Sequence, residues 1–303
     1  MSNVKNQPAS IRHRLLNNAR GTNRPFNEII QYYTIERFLY RLSKSVYADK
    51  FILKGALMFR AWGASQYRPT RDIDFLGFTT NELEAAARLF REICSLEVQP
   101  DGMTFDDQTV LCSRIKEDAD YEGIRVNLTG YLGKARIPLQ IDVGFGDSVY
   151  PAPIWLQYPA ILDMPAPRLR GYPPESVVAE KFQAMVFLGS VNSRLKDFYD
   201  LWLLADQFVF DGQKLQEAIS HTFKRRNTIL PQEIPVGLNK AFATEKEVQW
   251  RAFIQRSHMA HAPRSLEDVD QVLTRLLLPL LESSASGKVF NGTWMPGGQW
   301  DLR

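Results

Sequence analysis

Two short segments decide the fold of this sequence: FILKGAL at residues 51–57 and RPTRDIDFL at residues 68–76. Their apolar runs are too short for helices and favour two strands. Residues two apart in a strand point to the same face of a sheet. Asp72 and Asp74 therefore share one face, and the apolar side chains that alternate with them lie on the other.

The pair Asp72 and Asp74 predicts a metal site. Two carboxylates on one face repel each other unless a cation lies between them. A hard cation such as Mg²⁺ binds one or two carboxylates and completes its octahedron with phosphate oxygens and water. The pair is therefore suited to hold a metal–triphosphate. The structural alternative is that Asp72 pairs with Arg71 or Arg68 and that Asp74 caps a turn.

A turn of small residues, Lys54-Gly55-Ala56, lies upstream of the two acids at a predicted strand-to-helix junction. Small residues let backbone N–H groups and a helix N-terminus approach a phosphate. The alternative interpretation is an ordinary tight turn.

A third acid, Asp142, lies in the predicted strand of the segment LQIDVGFGD, residues 139–147. It alternates with Ile141 and Val143 and so faces away from them. If this strand neighbours the strand of the first two acids, three carboxylates converge. Three carboxylates suffice for one or two metals and for activating a hydroxyl nucleophile. Asp147, beyond the strand, is interpreted as a turn residue.

The C-terminal half contributes further charged residues on predicted helices. Lys181 is embedded in an apolar helix face, from which it either reaches a phosphate or extends to water. Asp197 and Asp200 are three residues apart and share a helix face. They alternatively form a salt-bridge cluster with Lys196 and Arg194.

The pattern along the whole chain predicts an α+β module followed by a helical one. Residues 1–162 form the module with the acids and include N-terminal helices, and 163–284 form a helical domain. A tail of Gly and Trp residues at 285–303 has no assigned structure. Pro-rich sequence at 164–174 is interpreted as a stiff connection between the two modules.

The composition excludes several classes of protein. The 303 residues include 37 Lys+Arg and 34 Asp+Glu, an excess of base too small to predict nucleic-acid binding by itself. A content of 45% hydrophobic and 23% charged residues excludes disordered, collagen-like and coiled-coil chains. The two cysteines, Cys94 and Cys112, exclude a disulfide scaffold and a zinc–cysteine cluster and suit a reducing cytoplasm. Apolar runs fall short of the ~18–20 residues of a membrane span, so we expect a cytoplasmic protein without a membrane partner.

The ordered motifs resemble those of the nucleotidyltransferase superfamily of the DNA polymerase beta type. They are most similar to the AbiEii/AbiGii family of bacterial toxins, which includes the MenT proteins. The matching residues span 54–200 and are, in order, Lys54-Gly55-Ala56, Arg71-Asp72-Ile73-Asp74-Phe75, Asp142, Glu180-Lys181 and Lys196-Asp197-Phe198-Tyr199-Asp200. The resemblance implies a small mixed sheet nucleotidyltransferase module with a C-terminal helical domain.

The resemblance also implies an activity. A toxin of a toxin–antitoxin or abortive-infection system would transfer a nucleoside monophosphate from an NTP to an RNA acceptor. That acceptor is the 3′ end of tRNA in characterised relatives. The reaction would depend on Mg²⁺ or Mn²⁺, and the partners would be the NTP, tRNA and a cognate, AbiEi-like antitoxin.

Site residues follow from the matching positions. The resemblance assigns metal binding and catalysis to Asp72, Asp74 and Asp142, and catalysis also to Lys181 and Asp197. It assigns nucleotide binding to Lys54, Gly55, Ala56, Arg71, Lys181 and Asp200. One position departs from the family, which usually has a second glycine where this chain has Ala56. Alanine is strained at positive φ. If the turn requires a positive φ at this position, we expect the contact between its backbone and a phosphate to be affected.

Other functions remain open at this level. The same fold would also suit transfer to a protein or a small molecule, transfer of the γ-phosphate, or non-catalytic binding of RNA or a partner. Basic residues that would either bind RNA or form a solvated face are Arg12, Arg14, Arg20, Lys224, Arg225 and Arg226.

Overall fold

A computed structural model describes residues 6–65, 67–118, 121–257, 259 and 261–302. The chain divides into two compact units. The sheet unit comprises Met1–Gly63, Pro69–Gly146 and Ile154–Gly171, and the helical unit comprises Ala64–Arg68, Asp147–Pro153 and Tyr172–Arg303. The predicted α+β class, with a small mixed sheet and helices towards the C-terminus, is confirmed.

Besides a short 3₁₀ helix at Ala48–Lys50, the sheet unit contains four α-helices and seven strands among its described residues. In chain order they are α1 (Gln7–Thr22), α2 (Phe26–Lys44), β1 (Phe51–Lys54), α3 (Leu57–Ala61), β2 (Asp72–Gly77), α4 (Leu83–Cys94), β3 (Met103–Asp118), β4 (Tyr121–Leu132), β5 (Ala135–Phe145), β6 (Ile154–Gln157) and β7 (Arg168–Gly171). The strands form one mixed sheet in the order β3-β4-β5-β2-β1-β7-β6. β2 runs parallel to β5 and antiparallel to β1, and β7 runs parallel to β1.

The alternation predicted for β2 is confirmed. Ile73 and Phe75 are buried, whereas Asp72 and Asp74 are partly exposed. On the apolar face, the ring of Phe51 lies 5.3 Å from that of Phe75 and 5.7 Å from that of Phe90 in α4. Full burial of a large apolar side chain stabilises a fold by about 1.5–3 kcal/mol. These rings therefore fix β1 and β2 against α4 and leave the opposite face to the acids.

The Pro-rich segment at 164–174 is more than a connection. Its central residues form β7, which pairs with β1 through Ile52–Arg170 and Leu53–Gly171. The prolines lie outside the strand, at 165, 167, 173 and 174, where no ladder N–H is required. Pro174 begins the next helix, a position that its fixed φ suits.

Besides two short 3₁₀ helices at Gly189–Val191 and Val236–Leu238, the helical unit contains five α-helices and three short strands within the described residues. They are α5 (Pro174–Leu188), α6 (Leu195–Gln207), β8 (Phe210–Asp211), α7 (Gly212–Arg225), α8 (Lys240–Arg256), α9 (Leu266–Ala285), β9 (Gly292–Met295) and β10 (Gln299–Leu302). Within the described residues, none of the helices in either unit is long and apolar enough to cross a membrane.

The tail that the sequence leaves unassigned folds as a β-hairpin on the helical unit. β9 pairs with β10 and with β8. Trp294 is fully buried, and its indole N–H donates to the carbonyl oxygen of Ala205 at 2.7 Å. The indole of Trp300 donates to the carbonyl oxygen of Arg275 at 3.1 Å. The two tryptophans are therefore structural.

We expect Trp294→Ala to lower the free energy of unfolding by about 3–5 kcal/mol, because it empties a filled site and removes a buried donor. Met295→Ala, at the next and 40% exposed position, is the matched control and should cost under about 1 kcal/mol. Urea unfolding followed by circular dichroism measures both. Equal costs would contradict the structural role of the hairpin.

Candidate active site

Four charged residues form one row across the centre of the sheet. The strand register pairs Arg125 with Asp142, Asp142 with Asp74, and Asp74 with Lys54. Register partners project from the same face of a sheet, with Cβ atoms of directly opposed residues about 4.5–5.5 Å apart in antiparallel pairs. The strand of Asp142 therefore neighbours that of Asp74, as the sequence required. Asp72 lies on the same face, two residues along β2.

Arg125 belongs to the site although no sequence motif indicated it. Its Nε donates to Oδ1 of Asp142 and its Nη2 to Oδ2, each at 2.8 Å. The hydrogen bonds with Asp142 raise the pKa of Arg125 despite the opposing effect of burial, and the charges of Asp142, Asp72 and Asp74 raise it further. The guanidinium is therefore a permanent cation beside the acids. The alternation of Ile124, Arg125, Val126 and Asn127 was the available signal, since it marks a polar strand face.

The conformation of Gly55 explains the small-residue turn. Its φ is +70°, which glycine adopts readily. A Cβ at this position would lie 2.0 Å from Oδ2 of Asp74, so the backbone of Gly55 forms one wall of the carboxylate's site. Ala56 has φ −69° and ψ −20°, an ordinary helical conformation. The absence of a second glycine therefore carries no conformational cost.

Asp72 and Asp74 are the acids of this face that fit a metal. Among the described residues, no group of three or more His, Cys, Asp or Glu side chains is arranged to hold an ion. Both oxygens of Asp142 accept hydrogen bonds from Arg125. Asp72 and Asp74 share a face, and Mg²⁺ bound with a substrate phosphate needs only one or two protein carboxylates. The donor set therefore fits an ion held by this pair, and a ligand role for Asp142 stays a prediction.

A second charged cluster lies within the helical unit. Nζ of Lys181 in α5 contacts Oδ1 of Asp197 at 2.6 Å and Oδ2 of Asp200 at 2.8 Å, and both acids are in α6. Arg68 donates to both oxygens of Asp200 at 2.8 Å. Arg194 approaches Asp197 at 3.3 Å. Of the two cations predicted to pair with these acids, Arg194 contacts Asp197, whereas Lys196 acts on Asp197 only as a nearby charge, and Lys181 joins the cluster as well.

Burial and charge act in opposite directions in this cluster. Burial lowers the pKa of Lys181, but Asp197 and Asp200 raise it more, so the net pKa lies above the ordinary value. Burial raises the pKa of Asp197, but Lys181 and Arg194 lower it more. Lys181 and Asp197 therefore both stay charged at neutral pH. Asp200 is fully buried and contacts Lys181 and Arg68.

The predicted site residues fall into these two groups. The sheet unit holds Lys54, Gly55, Ala56, Arg71, Asp72, Asp74 and Asp142, and the helical unit holds Lys181, Asp197 and Asp200. Lys54 is buried, at 7% exposure, and Arg71 is exposed.

Arg226, considered for RNA binding, is instead largely buried. Its guanidinium donates to Oδ1 of Asp147 at 3.0 and 3.2 Å and to the amide oxygen of Gln183 at 2.9 Å. The charge of Arg226 is therefore compensated by Asp147 inside the helical unit. Asp147, interpreted from sequence as a turn residue, is its partner.

A comparison with protein families matches residues 37–275 to the AbiEii nucleotidyltransferase toxins of type IV toxin–antitoxin systems. The chain belongs to this family. The match spans most of the chain and contains every predicted site residue. The protein is therefore a nucleotidyltransferase of a toxin family whose systems pair each toxin with an antitoxin.

Other comparisons are more distant. Two solved structures from Helicobacter pylori share 14% identity with the chain: that of the protein JHP933, and that of a protein described only provisionally as a nucleotidyltransferase. Each covers 83% of this chain, together with 92% and 93% of its own length, at TM-scores of 0.44 and 0.40. Likenesses of this size carry no inference about function. No protein of curated function matches the chain.

The contact between Gly55 and Asp74 has a matched control elsewhere in the chain. Gly63 has φ +73°, but a Cβ added there would meet nothing within 4 Å. Alanine at either site strains the backbone by about 1–2 kcal/mol. Only Gly55→Ala displaces the carboxylate, and we expect it to lower nucleotidyl transfer about a hundredfold. Transfer assays and urea unfolding of both variants test this, and equal activities would contradict the assigned contact.

The pair Lys181–Asp197 makes stability depend on pH. Because the pKa of Asp197 is lowered in the folded state, the pair's stabilisation is complete above the ordinary value of 3.8 and is lost as pH falls through the folded pKa. We expect Asp197→Asn to cost about 3 kcal/mol at pH 7 and progressively less below the ordinary value.

Glu245→Gln is the control, because Glu245 pairs with Lys246 while 63% exposed, and it should cost under about 1 kcal/mol. Urea unfolding across the acidic range measures both variants. A cost of Asp197→Asn that does not change with pH would contradict the lowered pKa.

Proposed function

We propose that the protein transfers a nucleoside monophosphate from an NTP to a hydroxyl of RNA, with the 3′ end of tRNA as acceptor. The observation that carries this is the row of Arg125, Asp142, Asp74 and Lys54, which places two carboxylates between two cations, with a third carboxylate, Asp72, beside the row. The choice of tRNA rests on the family resemblance. The proposal includes a cognate, AbiEi-like antitoxin as partner.

Asp72 and Asp74 would hold Mg²⁺ or Mn²⁺ in this proposal. When bound, such an ion neutralises triphosphate charge and orients the phosphorus that is attacked. The wall formed by Gly55 keeps the carboxylate of Asp74 in one place. Arg71, exposed next to Asp72, is available to the nucleotide.

Asp142 and Arg125 act together in the proposed reaction. The in-line attack of the RNA hydroxyl on the α-phosphorus releases pyrophosphate and a proton. Asp142 is the proposed acceptor of the proton. Protonation of Asp142 breaks one of the two hydrogen bonds that it accepts from Arg125. Arg125 then meets the developing phosphate charge with a fixed guanidinium, the kind of preorganised donor that lowers a barrier.

For the helical unit, we propose that Lys181 binds the triphosphate. Its ammonium is already oriented by Asp197 and Asp200, so little side-chain entropy is lost when it meets a ligand. Asp197, which stays ionised, is the proposed catalytic carboxylate of this unit. Asp200, which contacts Lys181 and Arg68 and is fully buried, is a positioning residue for both.

The test is incubation with Mg²⁺, total tRNA and each NTP labelled at the α-phosphate, with γ-labelled ATP and GTP in parallel. We expect α-label on RNA and a loss of about a thousandfold in Asp72→Asn and in Asp74→Asn, because several kcal/mol of charge stabilisation disappear. Asp163→Asn, at an exposed position of the sheet unit, is the control and should keep full activity.

Other patterns of label would contradict the proposal in different ways. Label from only the γ position would indicate a kinase. Label on a protein or small molecule would keep the chemistry and replace the acceptor. Full activity in Asp74→Asn would remove the metal site from the mechanism.

A further inference from the structure

Two exposed aromatic side chains lie beside two arginines near the edge of the sheet. Trp155 in β6 is 50% exposed, and Phe78, directly after β2, is 54% exposed. The guanidinium of Arg168 lies 5.2 Å from the ring centre of Trp155, and that of Arg170 lies 6.0 Å from the ring centre of Phe78. We call these four residues the aromatic–arginine stripe.

The strand register places Arg168, Arg170 and Trp155 on the same face as the acids, with the buried Ile52 and Leu76 between them and Asp74. Leu76 pairs with Ile52, Ile52 with Arg170, and Arg170 with Trp155. Leu76 is two residues from Asp74 and shares its face, so the other members of this row do too. From strand spacing and rise, Arg170 and Trp155 lie about 12 and 16 Å from Asp74 along the sheet.

The two arginines of the stripe carry charge that the protein does not neutralise. In the part of the chain that the structure describes, neither Arg168 nor Arg170 forms an ion pair with a carboxylate. Arg170 donates only a long hydrogen bond, 3.4 Å, to the carbonyl oxygen of Asp49. Lys50, whose carbonyl oxygen accepts from the amide of Phe78, adds a third exposed cation. The stripe therefore suits a polyanion.

The aromatic rings narrow the choice of polyanion. Single exposed apolar residues are common, but two rings that each sit beside a guanidinium are the arrangement used to stack bases and contact phosphates of single strands. An acidic polypeptide would interact with the cations but would have no use for the flat faces of the two aromatic rings. The span from Trp155 to Phe78 covers three strand spacings, about 14 Å, which exceeds one base.

We propose that the aromatic–arginine stripe binds unpaired nucleotides of the RNA acceptor. This inference rests on the proposed function, since it names where the acceptor of that reaction binds. It assigns no chemistry to the stripe. The contribution of Trp155 and Phe78 is stacking, and that of Arg168 and Arg170 is phosphate contact.

The test measures binding of 5′-fluorescein-labelled decauridylate by anisotropy, without NTP or metal, over a series of KCl concentrations. Trp155→Ala and Phe78→Ala should each weaken binding about tenfold to a hundredfold. Arg168→Gln with Arg170→Gln should reduce the slope of log affinity against log salt by about 1.4, or 0.7 per phosphate contact on a single strand.

Controls come from the helical unit. Phe187→Ala, at a 53% exposed aromatic, and Arg256→Gln, at an exposed arginine, should bind as the unchanged protein does. Equal thermal midpoints by circular dichroism establish that each variant is folded.

The outcomes separate this inference from the proposed function. No binding of the RNA by the unchanged protein, or equal binding by stripe and control variants, overturns the inference whether or not α-label is transferred. Stripe-dependent RNA binding without nucleotidyl transfer supports the stripe and contradicts the proposed reaction. Stripe variants that lose binding of labelled polyglutamate but keep RNA binding would overturn the inference in favour of an acidic protein partner.

Discussion

The repulsion between carboxylates on adjacent strands is the constraint on which the site depends. β2 and β5 are parallel neighbours, so Asp74 and Asp142 project side by side, with Asp72 on the same face. Two carboxylates on directly opposed residues of neighbouring strands repel each other unless cations compensate their charge. The sheet supplies this compensation from both sides, as Arg125 on β4 and Lys54 on β1 extend the row. The order of the strands thus determines the electrostatics of the site.

The helical unit solves the same problem by a different geometry. Asp197 and Asp200 share one face of α6, and Lys181 from α5 contacts both. Arg68, from a short segment far away in sequence, completes the set. Removing one partner from such a buried cluster leaves an uncompensated charge, which is why the cluster fixes the packing of α5 on α6. The same contacts hold the ammonium of Lys181 charged and oriented.

Much of this arrangement followed from local sequence patterns. The alternation in β2 identified the face of Asp72 and Asp74. The turn at Gly55 was predicted to let the backbone approach a phosphate, which stays a prediction, and the structure places the carboxylate of Asp74 against it. Arg125 could not be assigned to the site from sequence, because its pairing with Asp142 depends on the register between β4 and β5, which the sequence alone leaves undetermined. The hairpin around Trp294 could not be predicted either, since Gly-rich sequence has no hydrophobic periodicity and the burial of Trp294 depends on tertiary packing. Prolines near β7 suggested a linker because the strand between them is only four residues long.

We propose above all that Asp72 and Asp74 hold the catalytic ion. A crystal structure with Mn²⁺ and a non-hydrolysable NTP analogue, with data collected at the manganese absorption edge, tests it most directly. We predict an anomalous peak for an ion that lies about 2.1 Å from an oxygen of each carboxylate, with Asp142 still bound to Arg125 or rotated towards the ion. A nucleotide bound with its ion elsewhere, and these two carboxylates without an anomalous peak, would contradict it.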